Sequence, residues 1–192
     1  MALFVKALLV CALGLAMGLL ASAYSLSGLS PFDRVHLGPW ALEAHAGSPD
    51  ADPYTLARLE RSGEIPIAVG EGLQMIARAD DDGRPLDARC AYKVGPHVPA
   101  ARYWTLSVVD PDGWPIENPA RRYGFRSSEI LRAGDGSFLI TVAADVQPGN
   151  WLPIGRRGRF TLVLRLYDTP LGAAAGAIDA STAPRVERAG CR

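Results

Sequence analysis

An uncharged segment close to the amino terminus limits the architectures that this chain can adopt. From residue 7 to residue 32 no side chain carries a charge, a stretch of 26 positions whose first part is rich in Leu, Ala, Val and Gly. A helix that rises about 1.5 Å per residue would extend roughly 39 Å over this stretch, which exceeds a bilayer core of roughly 30 Å. A buried helix of this length does not fit a small globular domain, so the segment predicts a membrane-targeting helix.

Two interpretations of this segment remain open. In the first, residues 1–6 are a cytoplasmic n-region and residues 7–29 are an uncleaved transmembrane signal-anchor, with Lys6 favouring a cytoplasmic amino terminus. In the second, Ala21-Ser22-Ala23 is a small-x-small cleavage site, and the chain is secreted after cleavage near Ala23. The uncharged residues continue well past Ala23, which favours the anchor. Both interpretations place the remaining residues outside the cytoplasm.

The rest of the chain suits one domain. Of the 192 residues, roughly 160 follow the targeting segment, which is enough for a single core. Twenty basic and 20 acidic residues give a net charge of +0, which argues against a nucleic-acid binder. The expected organisation is a linker and docking segment over residues 30–51, a domain over residues 52–170 and a C-terminal tail over residues 171–192.

The patterning predicts one short helix and a series of strands. Asp52 can cap the helix, Pro53 fits its first position and Gly63 ends it. Alternating or apolar runs between Gly, Pro and Asp turns predict strands, whereas residues 147–153 are expected to form a loop. The strand segments are 65–69, 73–79, 89–94, 103–109, 123–130, 137–143 and 159–167. The predicted fold is mainly β, an antiparallel jelly-roll-like β-sandwich with one short helix, preceded by an N-terminal transmembrane helix.

Four segments together carry a resemblance to a known family. They are Tyr-Trp-Thr-Leu-Ser-Val-Val-Asp-Pro-Asp-Gly at 103–113, Asn118 with Arg121-Arg122-Tyr123, Asp135-Gly136-Ser137, and Asn150-Trp151-Leu152-Pro153 with the strand that follows. The chain resembles the family called "domain of unknown function 1214" (DUF 1214), in the short membrane-anchored form of Gram-negative bacteria.

The resemblance implies a jelly-roll-like β-sandwich in the bacterial envelope. The expected location is the inner membrane, single-pass, with the C-terminal domain in the periplasm; the alternative is secretion to the periplasm after cleavage near Ala23. Longer relatives carry a companion called "domain of unknown function 1254", so a separately encoded companion is a candidate partner. The family name assigns no activity.

Carboxylates and arginines supply the first candidate ligand-binding residues. Asp110 and Asp135 lie near turns between strong strands, where a facing pair performs acid–base chemistry or glycoside hydrolysis. The alternative is that both side chains only cap backbone amides of their turns. Arg122 and Arg165 suit an anion clamp, because a guanidinium binds carboxylate or phosphate in a bidentate manner. Alternation along its strand points Arg165 away from its apolar neighbours, so a solvent-facing residue or a structural ion pair is the alternative.

Two asparagines and a tryptophan are further candidate ligand-binding residues, and two cysteines are candidates for a disulfide. Asn118, Asn150 and Trp151 are further candidate ligand contacts, although Trp151 can instead plug the end of the sandwich while Asn150 bonds loop backbone. Cys90 and Cys191 can form a disulfide in an oxidising compartment, or remain one buried and one disordered thiol. A zinc site is not expected, because only these two cysteines are available and His36, His45 and His97 show no ligand spacing. No cofactor is expected either.

The leading functional hypothesis is a non-enzymatic, membrane-anchored envelope domain that binds a ligand or a partner protein. One alternative is a hydrolase that acts on an envelope glycan or lipid, using Asp110, Asp135, Arg122 and Arg165. The other is a structural subunit paired with the separately encoded companion domain. The expected partners are the membrane, through the N-terminal helix, and an envelope protein, with no nucleic acid.

Overall fold

A computed structural model describes residues 2–26, 34–43, 46–170 and 179–192. Its first element is α1 (Ala2–Tyr24), a helix whose mean hydropathy reaches 2.4 and which buries none of its side chains. The predicted N-terminal apolar helix is therefore confirmed, with the length and composition of a membrane span or of a signal sequence. The end of the predicted signal-anchor, at residues 27–29, lies outside the described residues.

The described residues form ten strands in two sheets. In chain order they are β1 (Arg34–Leu37), β2 (Trp40–Glu43), β3 (Gly72–Ala77), β4 (Cys90–Gly95), β5 (Tyr103–Val109), β6 (Gly124–Arg126), β7 (Ile140–Ala143), β8 (Asn150–Pro153), β9 (Thr161–Tyr167) and β10 (Arg185–Cys191). The larger sheet has the order β1-β2-β3-β9-β5-β6, and the smaller has the order β10-β4-β7-β8. The predicted mainly β class is confirmed, while the jelly-roll strand order stays a prediction.

The core lies between the two sheets because alternate side chains along the strands point toward the opposite sheet. In β5, Trp104, Leu106 and Val108 are buried, whereas the residues between them are only half-buried. Side chains from both sheets join one buried cluster. Trp104 stacks on Phe138 with 5.1 Å between ring centroids. The outward residues of the larger sheet are therefore free to build a surface site.

The predicted short helix is confirmed as α2 (Pro53–Ser62). Asp52 Oδ1 accepts hydrogen bonds from the amides of Tyr54 and Thr55 at 3.0 and 3.1 Å, as an N-cap side chain does. Gly63 ends the helix in the left-handed conformation, with φ 68°.

Two secondary-structure predictions are wrong. Residues 65–69 form no strand, and Pro66, which has no amide hydrogen to donate to a ladder, interrupts that run. Residues 147–153 are not a loop throughout, because the last four form β8, which pairs with β7 in parallel rather than antiparallel orientation. A strand of four residues spans roughly 13 Å, so the short connection through Gly149 is long enough to return the chain to the start of β7.

The sandwich extends beyond the predicted boundaries of 52–170 at both ends. In the expected linker and docking segment, β1 and β2 form a hairpin that adds to β3, and Trp40 is fully buried. In the expected C-terminal tail, residues 171–178 lie outside the described residues, and β10 forms an edge strand against β4. Trp40 Nε1 donates to the Pro184 carbonyl at 2.6 Å, so the two added segments also contact each other.

Candidate functional site

A polar cleft of about 550 Å³ lies on the outer face of the larger sheet, over β5, β6 and β9. Its floor consists of outward residues of the strands, and its wall is the segment that leads into β6. The lining residues are Thr105, Ser107, Ala120, Arg121, Arg122, Tyr123, Gly124, Phe125, Arg126, Glu129, Arg165 and Tyr167. We call this site the arginine cleft, since four of its lining residues are arginines.

Strand register places two of the arginines on either side of one hydroxyl group. Thr105 of β5 pairs with Arg126 of β6 and with Arg165 of β9. Residues directly opposite in antiparallel strands share a face, and adjacent strands lie about 4.8 Å apart. Arg126, Thr105 and Arg165 therefore form one row across three neighbouring strands.

The other two arginines are positioned by a turn that Asn118 holds together. The Asn118 side chain is 8% exposed; its Nδ2 donates to the carbonyls of Ile116 and Arg122, and its Oδ1 accepts from the Arg122 amide, at 3.0–3.1 Å. Arg121 has φ 50°, a left-handed conformation that few non-glycine residues adopt. Asn118 does not line the cleft itself, but its hydrogen bonds stabilise the turn that carries Arg121 and Arg122, which both line it.

The cleft holds more positive than negative charge. Glu129 is the one carboxylate among its lining residues, and it lies 3.9 Å from Arg122 Nη1. The Arg122 guanidinium also lies 4.5 Å from the centroid of the Phe125 ring, in a cation–π contact. Within the described part of the chain, neither Arg121 nor Arg126 forms an ion pair with a carboxylate. An anion that enters the cleft therefore meets guanidinium groups that are not already neutralised.

Arg165 is oriented by an amide rather than by a charge. Its Nε donates to Gln74 Oε1 at 2.7 Å, and Gln74 Nε2 donates in turn to Glu64 Oε1. Glu64 also pairs with Arg58 at 3.4 Å. This chain of contacts holds the Arg165 side chain through its Nε, and Arg165 lines the cleft.

Tyr123 contributes a neutral phenol to the wall. Its hydroxyl donates to Glu117 Oε2 at 3.1 Å. Partial desolvation, together with this hydrogen bond and the charge of Glu117, raises the pKa of Tyr123 above its ordinary value. The side chain is therefore protonated at neutral pH and adds no negative charge to the cleft.

The structure brings only some of the predicted site residues together. Arg122 and Arg165 both line the cleft, and Asn118 supports it from behind. Asp110 lies apart and caps its own turn, where its Oδ1 accepts from the amides of Asp112 and Trp114 at 2.9 and 2.8 Å.

Asp135 has the same kind of role in another turn. It accepts from the amide and the hydroxyl of Ser137, and these hydrogen bonds lower the pKa of its carboxyl group. Among the described residues, Asp110 and Asp135 thus bind their own turns and not a shared substrate position.

Asn150 and Trp151 also serve the frame of the smaller sheet. Asn150 is 7% exposed and exchanges hydrogen bonds with the amide and carbonyl of Leu131 at 2.8 and 2.9 Å, and it donates to the Leu139 carbonyl at 3.1 Å. Trp151 Nε1 donates to the Ala143 carbonyl at 2.9 Å. Neither residue lines the arginine cleft.

A disulfide and a buried ion pair hold β10 in place at the edge of the smaller sheet. Cys90 and Cys191 form a disulfide. Beside it, Arg188 Nε contacts Asp80 Oδ2 at 2.7 Å, and Asp80 is 2% exposed. Burial by itself raises the pKa of Asp80, but the hydrogen bond and charge of Arg188 and two backbone amides outweigh it, so the net shift is downward. This cluster is satisfied internally and stabilises the fold.

The histidines form no metal centre in the described part of the chain. His36 and His97 are both exposed, and His45 lies outside the described residues. No group of three His, Cys, Asp or Glu side chains there is arranged to hold a metal ion.

Sequence reasoning missed most of the cleft. Arg121 is adjacent to the predicted Arg122, and most outward positions of the two strongest strands, including Thr105 and Tyr167, are polar; both signals are visible in the sequence. Arg126 carries no such signal, because its place beside Thr105 depends on the pairing of β5 with β6.

The fold and the cleft define the class of this protein as a two-sheet β-sandwich domain with a basic surface cleft and an apolar N-terminal helix. The chain belongs to the family described as "Protein of unknown function (DUF1214)", which matches residues 71–171. This match confirms the predicted family, and it includes the whole lining of the arginine cleft.

Two solved structures resemble the chain. The VPA0106 protein from Vibrio parahaemolyticus is 18% identical with a TM-score of 0.56, over 73% of this chain and 36% of that chain. The chain thus spans about a third of that relative, and the likeness concerns the fold. An uncharacterized protein from Burkholderia cenocepacia is 18% identical with a TM-score of 0.41, over 76% of this chain and 45% of its own. No curated protein matches the chain.

Proposed function

We propose that this protein is a membrane-anchored domain of the bacterial envelope that binds an anionic ligand in the arginine cleft. The observation that carries the proposal is the row Arg126–Thr105–Arg165, in which two arginines on neighbouring strands lie on either side of Thr105 on one face of the sheet, and all three line the cleft. Arg121 and Arg122 add two more positive charges at the wall. Planar guanidinium groups recognise carboxylate and phosphate oxygens, and desolvation in a cleft strengthens such contacts.

The distribution of carboxylates favours binding over glycoside hydrolysis. A hydrolase of the usual kind requires two carboxyl groups about 5–10 Å apart across the substrate. Among the described residues that line the cleft, Glu129 is the one carboxylate, and it lies 3.9 Å from Arg122. Asp110 and Asp135, the carboxylates considered for catalysis, accept hydrogen bonds from their own turns instead.

The proposed location is the inner membrane, with α1 as a single span and the sandwich in the periplasm. The length and hydropathy of α1 support a span, and the disulfide between Cys90 and Cys191 is consistent with an oxidising compartment. The mass of the protein purified from membranes tests the anchor directly. An intact amino terminus supports it, whereas a chain that begins just after Ala23 indicates a cleaved signal peptide.

Calorimetry with citrate as the probe tests anion binding. The full chain is placed in nanodiscs of zwitterionic phospholipid, so that no lipid headgroup offers a net charge. We expect Arg126→Gln/Arg165→Gln to bind citrate at least tenfold more weakly than wild type. The matched control is Arg157→Gln/Arg159→Gln, which removes the same charge from exposed positions outside the cleft. Equal affinity in the two double variants would contradict the proposal.

A further inference from the structure

We infer that the anionic ligand of the arginine cleft is an acidic sugar, a pyranose ring that carries a carboxylate or a phosphate. This inference rests on the proposed anion-binding function and names the chemical class of the ligand. The inference is based on three neighbouring rows of outward side chains, and each row offers the ligand a different kind of contact.

The middle row supplies the anion contact. It is the row Arg126–Thr105–Arg165, in which Thr105 pairs with both arginines. The threonine hydroxyl lies between two guanidinium-bearing strands and both donates and accepts hydrogen bonds. The contacts assigned to the anionic group are therefore the Thr105 hydroxyl and the two arginines beside it, all of which line the cleft.

The next row along the strands is aromatic. Tyr103 of β5 pairs with Tyr167 of β9, and their ring centroids lie 6.0 Å apart. Tyr167 lines the cleft, and both tyrosines are half-buried rather than closed off in the core. Tyrosine presents an apolar ring face and a polar hydroxyl at once, which suits the face and the hydroxyl edge of a sugar ring.

The row on the other side consists of Gly124, Ser107 and Val163, of which the first two line the cleft and are small. Ser107 pairs with Gly124 of β6. A Cβ atom at Gly124 would lie 2.9 Å from Ser107 Oγ and 2.6 Å from the Leu106 carbonyl oxygen, so any larger residue would cover the serine hydroxyl. The absence of a side chain at this position leaves Ser107 available as a hydrogen-bond partner in the floor.

The distance between neighbouring rows indicates the size of the ligand. Successive outward residues lie two positions apart, or about 6.8 Å along a strand. This distance matches a six-membered ring that carries its charged group at one end, with the ring beside Tyr167 and the charge over Thr105. The cleft volume of about 550 Å³ lies in the range of small-molecule sites and is much larger than an inorganic ion needs. Most of its lining side chains are polar, so they can form hydrogen bonds with the hydroxyl groups of a sugar.

Three probes of defined chemistry test this inference on the full chain in zwitterionic nanodiscs. They are digalacturonate, its neutral counterpart galactobiose, and succinate, which carries the same two carboxylates without a ring. We expect digalacturonate to bind at least tenfold more tightly than either of the others. Equal binding of digalacturonate and succinate would overturn the sugar inference and leave the anion site standing, whereas no binding of any acidic probe, citrate included, would overturn both.

Variants separate the ring contact from the charge contact. Tyr167→Ala is expected to reduce the ratio of digalacturonate affinity to succinate affinity at least fivefold. Arg126→Gln is expected to weaken both acidic probes together. Tyr54→Ala serves as the control, because Tyr54 is an exposed tyrosine of α2, at 47% exposure, outside the cleft. A preference that survives Tyr167→Ala unchanged would contradict the assignment of the ring contact.

AMP is a further probe of the ligand class. If AMP binds as tightly as digalacturonate, the tyrosines contact a nucleobase and the sugar class is overturned.

Discussion

Removal of the disulfide between Cys90 and Cys191 is expected to cost a large part of the stability of this domain. The bridge closes a loop with a sequence separation of 101 residues. In the chain-entropy description, a cross-link over a loop of this length stabilises the folded state by about 4.7 kcal/mol. Typical domains unfold with only about 5–15 kcal/mol, so the reduced protein is expected to be marginal.

Urea unfolding monitored by tryptophan fluorescence measures this effect. All four tryptophans lie outside α1, and Trp40 and Trp104 are buried in the core, so the signal reports on the sandwich even with the full chain in detergent. With a slope of about 2 kcal/mol per molar urea, the expected loss lowers the midpoint by about 2 M in Cys90→Ser/Cys191→Ser.

A matched control removes the remaining thiol instead. Cys11 is the free cysteine of the described residues and lies exposed in α1, so Cys11→Ser is expected to unfold at the wild-type midpoint. Dithiothreitol should lower the midpoints of wild type and Cys11→Ser alike, and it should leave the double variant unchanged. Midpoints of wild type and double variant within about 0.3 M of each other would show that the disulfide does not stabilise the domain by this amount.

Three further predictions concern buried or charged polar groups. Asp80→Asn leaves the Arg188 guanidinium without its carboxylate and is expected to lower the free energy of unfolding by about 3 kcal/mol in urea titration. Asp87 is held at a pKa of about 2, against an ordinary 3.8, chiefly by its hydrogen bond from Arg89. Its stabilising contribution is therefore present above pH 3.8 and lost as the pH falls to about 2, so thermal unfolding of Asp87→Asn should depend less on pH in that window than wild type. Asn118→Ala releases the turn that presents Arg121 and Arg122, and calorimetry should show citrate affinity at least fivefold weaker with the fold retained.

The sequence predicted those parts of the fold that local patterning controls. The alternation of β9 identified a strand and pointed Arg165 outward, because side chains alternate faces along any strand. The α2 helix was predictable for a similar reason, since Asp52 and Gly63 act on backbone groups within a few residues. These elements need no information about distant parts of the chain.

The missed parts depend on contacts between distant segments. The parallel pairing of β8 with β7 is set by the neighbours of a four-residue strand, which sequence patterning does not reveal. The β10 strand, with few apolar residues, is held by Asp80 and Cys90, each about 100 positions earlier in the chain. Arg126 reaches the cleft only through its register with Thr105. Candidate residues were therefore found one at a time, whereas their grouping into a site required the fold.

The most direct test of the arginine cleft observes the guanidinium groups themselves. Nε–Hε resonances of ¹⁵N-labelled arginine, recorded for the full chain in detergent micelles during a citrate titration, report which side chains meet the anion. We expect the signals of Arg126 and Arg165 to shift along one saturable curve while that of the exposed Arg157 stays in place. Unmoved signals at Arg126 and Arg165, or equal shifts at every exposed arginine, would contradict the cleft as the anion site.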